Sequence, residues 1–197
     1  ELEPHIVFTP YIKELSKEII GDETNPLLQA RKIYDYITQN VKYSYVRAYS
    51  TITNIPEYAA LNLKGDCGVQ ALLFITLCRY AGIPARWQSG LAVTPCDIGP
   101  HDWAQFYVAP FGWLFASFGG GELKSNNIDK WNFYFGNLDP FRMVANSEFQ
   151  HEFDPPKKHL RHDPYDNQVG EMEYEDRGLL RKEYNVKWEL LDIKKIK

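Results

Sequence analysis

The sequence has little of what marks several large classes of protein. It has no apolar run near the roughly 20 residues that a membrane-spanning helix needs, so no membrane span is expected. Its 22 Lys and Arg residues against 26 Asp and Glu residues leave a formal net charge of −4. That balance gives no strong attraction to nucleic acid or to an anionic membrane, and neither is expected as a partner.

Cysteine is scarce, and the three that occur do not form a visible disulfide framework. Cys67 and Cys78 lie on one predicted helix, about 16 Å apart at the rise of an α-helix. A disulfide needs α-carbons within roughly 7 Å. Cys96 lies in a predicted loop over 94–100 and pairs only after movement. The compartment therefore stays open, and because the chain starts at Glu1 without methionine, a fragment and a processed form both stay open.

What is present predicts one well-packed domain over residues 1–197. The composition is 44% hydrophobic and 24% charged, which is typical of a soluble globular protein. Helical and strand patterns both occur, so the fold class is predicted to be α+β. Aromatic residues make up 15% of the chain, and two uses are open for them: filling the core, or lining a substrate groove.

The clearest element is a helix between Asp66 and Gly82. Asp66 can accept the free amide hydrogens of the first turn, and Gly82 followed by Pro84 ends the helix. Apolar residues between them recur at helical spacing and predict a buried face: Leu73, Phe74, Leu77, Cys78 and Ala81. Cys67 then lies on the first turn, where free amides and the helix dipole favour an anion. Such a thiol can have a lowered pKa, which makes Cys67 the predicted nucleophile.

A cysteine nucleophile needs a base, and His101 is the candidate. It opens a predicted strand over 101–108, in which alternation places His101 and Trp103 on one face and Asp102 and Phe106 on the other. We expect the His101 face to meet the helix start that carries Cys67. Asp102 then points away and is a poor residue for orienting the imidazole.

These segments together resemble the transglutaminase-like superfamily of papain-related cysteine enzymes. The matching pieces are Gly-Asp-Cys-Gly at 65–68, Leu-Cys-Arg at 77–79 with Ala-Gly-Ile-Pro-Ala-Arg at 81–86, and His-Asp-Trp at 101–103. The likeness covers about residues 26–121, taken as the catalytic core. It implies a papain-like fold in which the nucleophile-bearing helix packs on an antiparallel sheet, and a Cys–His–Asp triad.

The third member of that triad is not in the sequence. The segment 111–121 matches the family strand at both ends, but about two residues, including the acid, are absent between Ala116 and Ser117. The resemblance therefore predicts an aspartate in the natural polypeptide at that join. Gly68 is assigned to the substrate or oxyanion site with Trp103, although core packing is an equal alternative for the tryptophan.

The expected activity is cleavage of peptide or amide bonds through an acyl-thioester, with hydrolysis preferred to amine transfer. The expected partner is a peptide or protein substrate. The alternative is a catalytically silent protein- or peptide-binding domain that has lost the triad acid. No cofactor is expected. His151, His159, His162 and Asp163 could supply metal ligands, but the prolines around them disfavour a helix that could aim the pair 159 and 162.

The rest of the chain is predicted more coarsely. A helix runs from Pro26, capped by Asn25, and strands cover 85–93, 101–108 and 111–118. The aromatic-rich stretch 131–149 is expected to complete the sheet and core. Residues 151–178 are predicted to be irregular and to wrap the core, and alternation over 184–193 predicts one last strand.

Overall fold

A computed structural model describes residues 1–95, 97–119, 127–161 and 164–194. Cys96, Gly120, Gly121, His162 and Asp163, which enter the sequence predictions, lie outside the described residues. The helices are α1 Pro10–Ile20, α2 Pro26–Asn40, α3 Ile55–Asn62, α4 Cys67–Tyr80 and α5 Ile128–Phe133. The strands are β1 Lys42–Tyr43, β2 Lys64–Gly65, β3 Ala85–Thr94, β4 Asp97–Val108, β5 Gly112–Ser117, β6 Phe135–Gly136 and β7 Arg142–Asn146.

Helix α4 is the centre of the fold and confirms the predicted helix. The Asp66 side chain accepts a hydrogen bond from the backbone amide of Val69, as a cap should. At the other end, Gly82 takes φ of +82°, and the amide of Ile83 donates to the carbonyl of Cys78. Burial is broader than one face, because every residue from Cys67 to Cys78 is buried. A helix that is buried all round lies inside its domain.

An antiparallel sheet in the order β6-β5-β4-β3-β7 packs against α4. Phe74 of α4 meets Phe106 of β4 edge to face, with ring centroids 5.6 Å apart. Helices α1, α2 and α3 pack on the same central helix. The predicted α+β fold, with the Cys67 helix on an antiparallel sheet, is therefore confirmed.

Two predictions about the strands need correction. The segment 94–100 is predicted as a loop, but β3 and β4 extend through it as a hairpin, with Ala92 paired to Gly99. No strand forms over 184–193; a short 3₁₀ turn, Arg181–Glu183, precedes residues without regular structure. Alternation alone does not make a strand, because the backbone there finds no neighbouring strand to pair with.

The aromatic-rich stretch does complete the sheet, as predicted. Strand β6 pairs with β5 at one edge and β7 pairs with β3 at the other. The described parts of 151–178 are irregular, with one isolated bridge between Glu173 and Gly178. In the part of the chain that the structure describes, no helix is long and apolar enough to cross a membrane.

Candidate active site around Cys67

Cys67 stands at the first turn of α4, held there by close backbone packing. A Cβ at Gly65 would lie 2.3 Å from Cγ1 of Val69, so only glycine fits before the cap. A Cβ at Gly68 would lie 2.4 Å from the Tyr49 hydroxyl and 2.7 Å from Oδ2 of Asp102. These short approaches fix the helix start against its neighbours and leave the Cys67 side chain only 7% exposed.

Two tyrosines from the segment before α3 stand over the helix start. The Tyr49 hydroxyl donates to Oδ1 of the capping Asp66 at 2.6 Å. Parallel pairing of β1 with β2 places Tyr43 opposite Gly65. Burial, together with the neighbouring Cys67 and Asp66, raises the pKa of Tyr43 to about 12, so its hydroxyl stays protonated. The Tyr49 proton is committed to Asp66, whereas the protonated Tyr43 hydroxyl is a hydrogen-bond donor beside Cys67.

The residue in direct contact with Cys67 is Asp102. Cys67 Sγ donates to Asp102 Oδ2 at 3.6 Å, and Gln168 Nε2 donates to Asp102 Oδ1 at 2.6 Å. Asp102 is 1% exposed. Both carboxyl oxygens of a buried aspartate therefore have partners, as burial of such a group requires.

The electrostatics of this cluster oppose a free thiolate. Burial raises the pKa of the Cys67 thiol well above its usual value, and the negative charges of Asp102 and Asp66 add to the effect. Burial and the neighbouring Asp166 also raise the pKa of Asp102. The prediction of a thiol with a lowered pKa is wrong for this arrangement, because burial and two carboxylates outweigh the helix dipole.

The cluster faces a cavity of about 570 Å³. Its lining comes from the segment 43–50, the start of α4, Pro100 and Asp102 of β4, the C-terminal stretch 164–171, and Arg181 with Tyr184. A volume in this range is typical of ligand and substrate sites. The arrangement places a cavity of ligand size beside a buried, hydrogen-bonding sulfur.

His101 lies on the opposite face of β4 and is not paired with Cys67. Its Nε2 is 3.0 Å from the hydroxyl Oγ of Ser117, which is fully buried. Burial and the positive charge of Arg142 lower the pKa of His101 to about 4, so the imidazole is neutral near pH 7. The structure therefore does not bring the predicted nucleophile and the predicted base together.

Trp103 also lies away from the cavity. Its ring is fully buried on the His101 face, and its Nε1 donates to Oε1 of Gln88 at 2.8 Å. The ring makes no contact at Cys67, because it lies on the other face of β4. Gly68 lies directly beside Tyr49 and Asp102, and its role in binding the substrate or the oxyanion stays a prediction.

The reversal has a packing cause. The alternation along β4 is as predicted, but the face turned to α4 is the apolar set with Ala104 and Phe106 rather than the set with His101. Asp102 shares that face by the two-residue period of a strand. The apolar residues Ala104, Phe106 and Val108 alternate on one face of the strand. This pattern could have shown which face meets α4, since the core takes the more apolar face of a strand.

Ser117 occupies the position relative to His101 where an acid is predicted. Strand β5 pairs with β4 in register through this point, Ala116 opposite Ala104 and Ser117 opposite Trp103. The ladder thus passes the join at 116–117 without irregularity, and the aspartate that the resemblance implies there stays a prediction. Sequence reasoning missed Ser117 as the partner of His101, and it missed Tyr49 and Gln168, for which no local signal exists.

A metal centre is not formed by the residues that the structure describes. No group of three or more His, Cys, Asp or Glu side chains among them is placed to hold an ion. His151 and His159 of the considered set bond instead to backbone carbonyls. His162 and Asp163 are outside the described residues.

A comparison with protein families identifies the family of this chain. The family model described as the transglutaminase-like superfamily matches residues 13–117, just over half of the chain. An uncharacterized protein of Haemophilus influenzae is 28% identical over 134 residues, which is 56% of this chain and 36% of that protein. The chain thus spans about a third of the relative's length in this match.

Two solved structures are similar to part of this chain. A candidate cysteine protease from Cytophaga hutchinsonii is 25% identical, with a TM-score of 0.45 over 57% of this chain and 37% of that one. The periplasmic domain of TgpA from Pseudomonas aeruginosa is 19% identical, with a TM-score of 0.47 over 59% of this chain and 44% of that one.

Proposed function

The chain belongs to the transglutaminase-like superfamily, and we propose that it is a cysteine enzyme acting on peptide or amide bonds through an acyl-thioester on Cys67. The observation that carries the proposal is the position of Cys67. Its side chain lies at the start of α4 and lines a cavity of about 570 Å³ formed by separate parts of the chain. Free amides at a helix start are suited to hold the oxyanion of a tetrahedral intermediate.

The reaction needs two steps. The sulfur attacks the carbonyl carbon, a C–S bond forms, the C–N bond breaks, and the amine leaves with the proton from the thiol. Water then attacks the thioester, which releases the acid and returns the proton to the sulfur. Hydrolysis is proposed over amine transfer, because no calcium site of the kind used by animal members of the family is legible in the sequence.

The proton acceptor has two candidates. His101 is proposed from the family resemblance, and Asp102 from its contact with the thiol at 3.6 Å. The described arrangement favours Asp102, because a carboxylate whose pKa is raised is a stronger base and this one is within reach. His101→Gln and Asp102→Asn separate them: the change that removes acylation of Cys67 identifies the acceptor.

The proposed activity is tested by incubating the chain with labelled peptides and resolving the products by mass spectrometry. Cys67→Ala should abolish cleavage, whereas Cys78→Ala, a change far from the cavity in the core, should retain it. Cleavage that persists in Cys67→Ala would contradict the proposal. A fluorescent primary amine added to the same assay decides the acceptor, since efficient incorporation without calcium would overturn the preference for water.

A second candidate, a silent peptide-binding domain, is favoured by one observation. The group at Cys67 is a carboxyl that raises the thiol pKa rather than an imidazole that would lower it. A binding domain would retain peptides in the cavity with equal affinity in Cys67→Ala and would form no acyl-thioester. Trapping a covalent peptide adduct on Cys67 excludes this alternative.

A further inference from the structure

The C-terminal stretch 164–171, here called the strap, lies across the site of Cys67. Seven of its eight residues line the cavity together with Cys67 and Asp102, and they are Pro164, Tyr165, Asp166, Gln168, Val169, Gly170 and Glu171. The eighth, Asn167, is buried with φ of +55°. A segment without regular structure is therefore packed where a substrate of the proposed enzyme would enter.

The strap reaches the reacting groups through Gln168. Its side-chain amide donates to Oδ1 of Asp102 at 2.6 Å, while the other oxygen of Asp102 receives the Cys67 thiol. The Gln168 side chain is therefore bound to the same carboxyl group, that of Asp102, which accepts the Cys67 thiol. Asp102 is left 1% exposed and Cys67 7% exposed, too little for a polypeptide to reach either.

Aromatic packing seats the start of the strap. The Tyr165 ring contacts the rings of His5, Tyr49 and Phe149 at centroid distances of 5.8, 6.2 and 5.8 Å. Its carbonyl accepts from the amide of Gln150 at 2.9 Å. Contacts of this kind fix the strap against the segment that carries Tyr49, one wall of the cavity.

Polar contacts hold the rest. The hydroxyl of Ser89 on β3 donates to the carbonyl of Asp166. At the end of the strap, Lys157 Nζ lies 3.1 Å from Oε2 of Glu171, and both side chains are nearly buried, at 6% and 5% exposure. A buried pair of this kind is costly to separate once formed. The strap is therefore anchored at its beginning, middle and end.

We propose that the strap is an autoinhibitory element, which keeps Cys67 closed to polypeptide substrates and must move away before the enzyme acts. The proposal rests on Cys67 being the reactive group of the proposed function. In the described structure the strap makes no strand pairing to the sheet. Apart from the bond at the Tyr165 carbonyl, each polar contact given above involves a side chain. Segments held in this way open at lower free energy than the strands and helices beneath them.

The alternative is that the strap is a permanent wall of a working groove. The two differ in what happens when its contacts are removed. An autoinhibitory strap hides the sulfur, so loosening it exposes Cys67. A permanent wall shapes the groove, so loosening it leaves the sulfur as reachable as before.

The test measures how fast iodoacetamide alkylates Cys67 relative to Cys78, by peptide mapping of the intact chain at pH 7.5. Gln168→Ala removes the bond to Asp102, and Lys157→Met removes the nearer of two cations paired with Glu171, the other being Arg161. Arg177→Ala is the matched control, because its ion pair with Glu183 lies in the same C-terminal region but outside the cavity. The ratio of rates corrects for global unfolding, which would expose both cysteines.

We expect the Cys67 to Cys78 ratio to rise about tenfold in Gln168→Ala, the size of effect that one strong hydrogen bond has on a closed–open equilibrium. Lys157→Met should raise it as well, and Arg177→Ala should not. Ratios equal to wild type in both strap variants would overturn the proposal. The alkylation readout needs no substrate, so the two proposals can fail separately. A raised ratio without peptide cleavage supports the autoinhibitory strap and counts against the proposed function. Peptide cleavage with an unchanged ratio supports the proposed function and counts against the strap.

Discussion

The two faces of strand β4 carry neighbouring titratable residues with opposite surroundings. Asp102, on the α4 face, contacts Cys67 and is bonded by Gln168, 66 residues away in sequence. His101, on the other face, is bonded by Ser117 of the adjacent strand. Burial raises the pKa of Asp102 and lowers the pKa of His101 to about 4, so burial opposes the charged form of each side chain.

This contrast shows where adaptability lies in the molecule. The His101 face is closed by the sheet itself, through a hydrogen-bonded neighbouring strand. The Asp102 face is closed by irregular segments that carry Tyr49 and Gln168, which can move without breaking the sheet. A site that must open is expected on the second face, and Cys67 is there.

The largest effect is expected from His101→Gln, and it should appear in how the free energy of unfolding depends on pH. The unfolded histidine takes up a proton near its ordinary pKa of 6.5, whereas the folded one resists until about 4. Folded-state stability is therefore complete above pH 6.5 and falls as the pH drops toward 4, by up to about 3 kcal/mol. Between pH 6.5 and pH 4 the free energy of unfolding of the variant, measured in urea, should fall less than that of the wild type. Some acid loss remains in both, because burial also lowers the pKa of His5. His151→Gln, an exposed position, is the control, and an equal acid loss in both variants would contradict the assignment.

The next largest effect is expected from Asp102→Asn, and here the dependence of stability on pH has the opposite sign. The pKa of folded Asp102 is raised, so the unfolded chain ionises first and wild-type stability falls as the pH rises from about 4. The amide variant should remove this loss and also let Cys67 alkylate faster at a fixed pH, because a negative charge beside the thiol is gone. Thermal unfolding from pH 4 to 8 measures the first effect, with exposed Asp97→Asn as the control. A slope unchanged from wild type would break the contrast between the two faces.

Crowding on the Asp102 face of β4 predicts that Gly68→Ala lowers the free energy of unfolding. In most helices alanine is better than glycine by about 1 kcal/mol. Here the new methyl would meet Asp102 Oδ2 and the Tyr49 hydroxyl within 2.7 Å, so we expect overpacking to cost about 1–3 kcal/mol. Gly99→Ala on the β3–β4 hairpin is the control, because its new methyl would have no neighbour within 4 Å. Denaturant unfolding compares the two, and a stabilised Gly68→Ala would mean that the helix start is looser than described.

The smallest effect is expected from Ser117→Ala on the His101 face. It removes one hydrogen bond, from a hydroxyl 3.0 Å from His101 Nε2, and should cost about 1 kcal/mol. Alkylation of Cys67 should not change, because the two faces are separate. Ser147→Ala, an exposed serine, serves as the control for stability. An altered Cys67 rate in Ser117→Ala would show that the faces communicate through β4.

Local signals account for the elements that the sequence predicted well. Asp66 and Gly82 bound α4 because caps act within a few residues of the helix end. The helix from Pro26 and the three central strands follow from periodicity that a short window contains. The hairpin through 94–100 and the absent strand over 184–193 were missed, because strand formation depends on a pairing partner that no window shows.

By itself, then, the sequence determined that Cys67 lies at a helix start, that His101 and Asp102 occupy opposite faces of one strand, and which family the chain belongs to. Only the tertiary structure decided which face meets Cys67. Alternation is symmetrical between the two sides of a sheet, and the choice was made by packing of Phe106 on Phe74. The approach of Gln168 to Asp102 was likewise decided in three dimensions, because a contact between residues that far apart in sequence exists only once the chain has folded around the site.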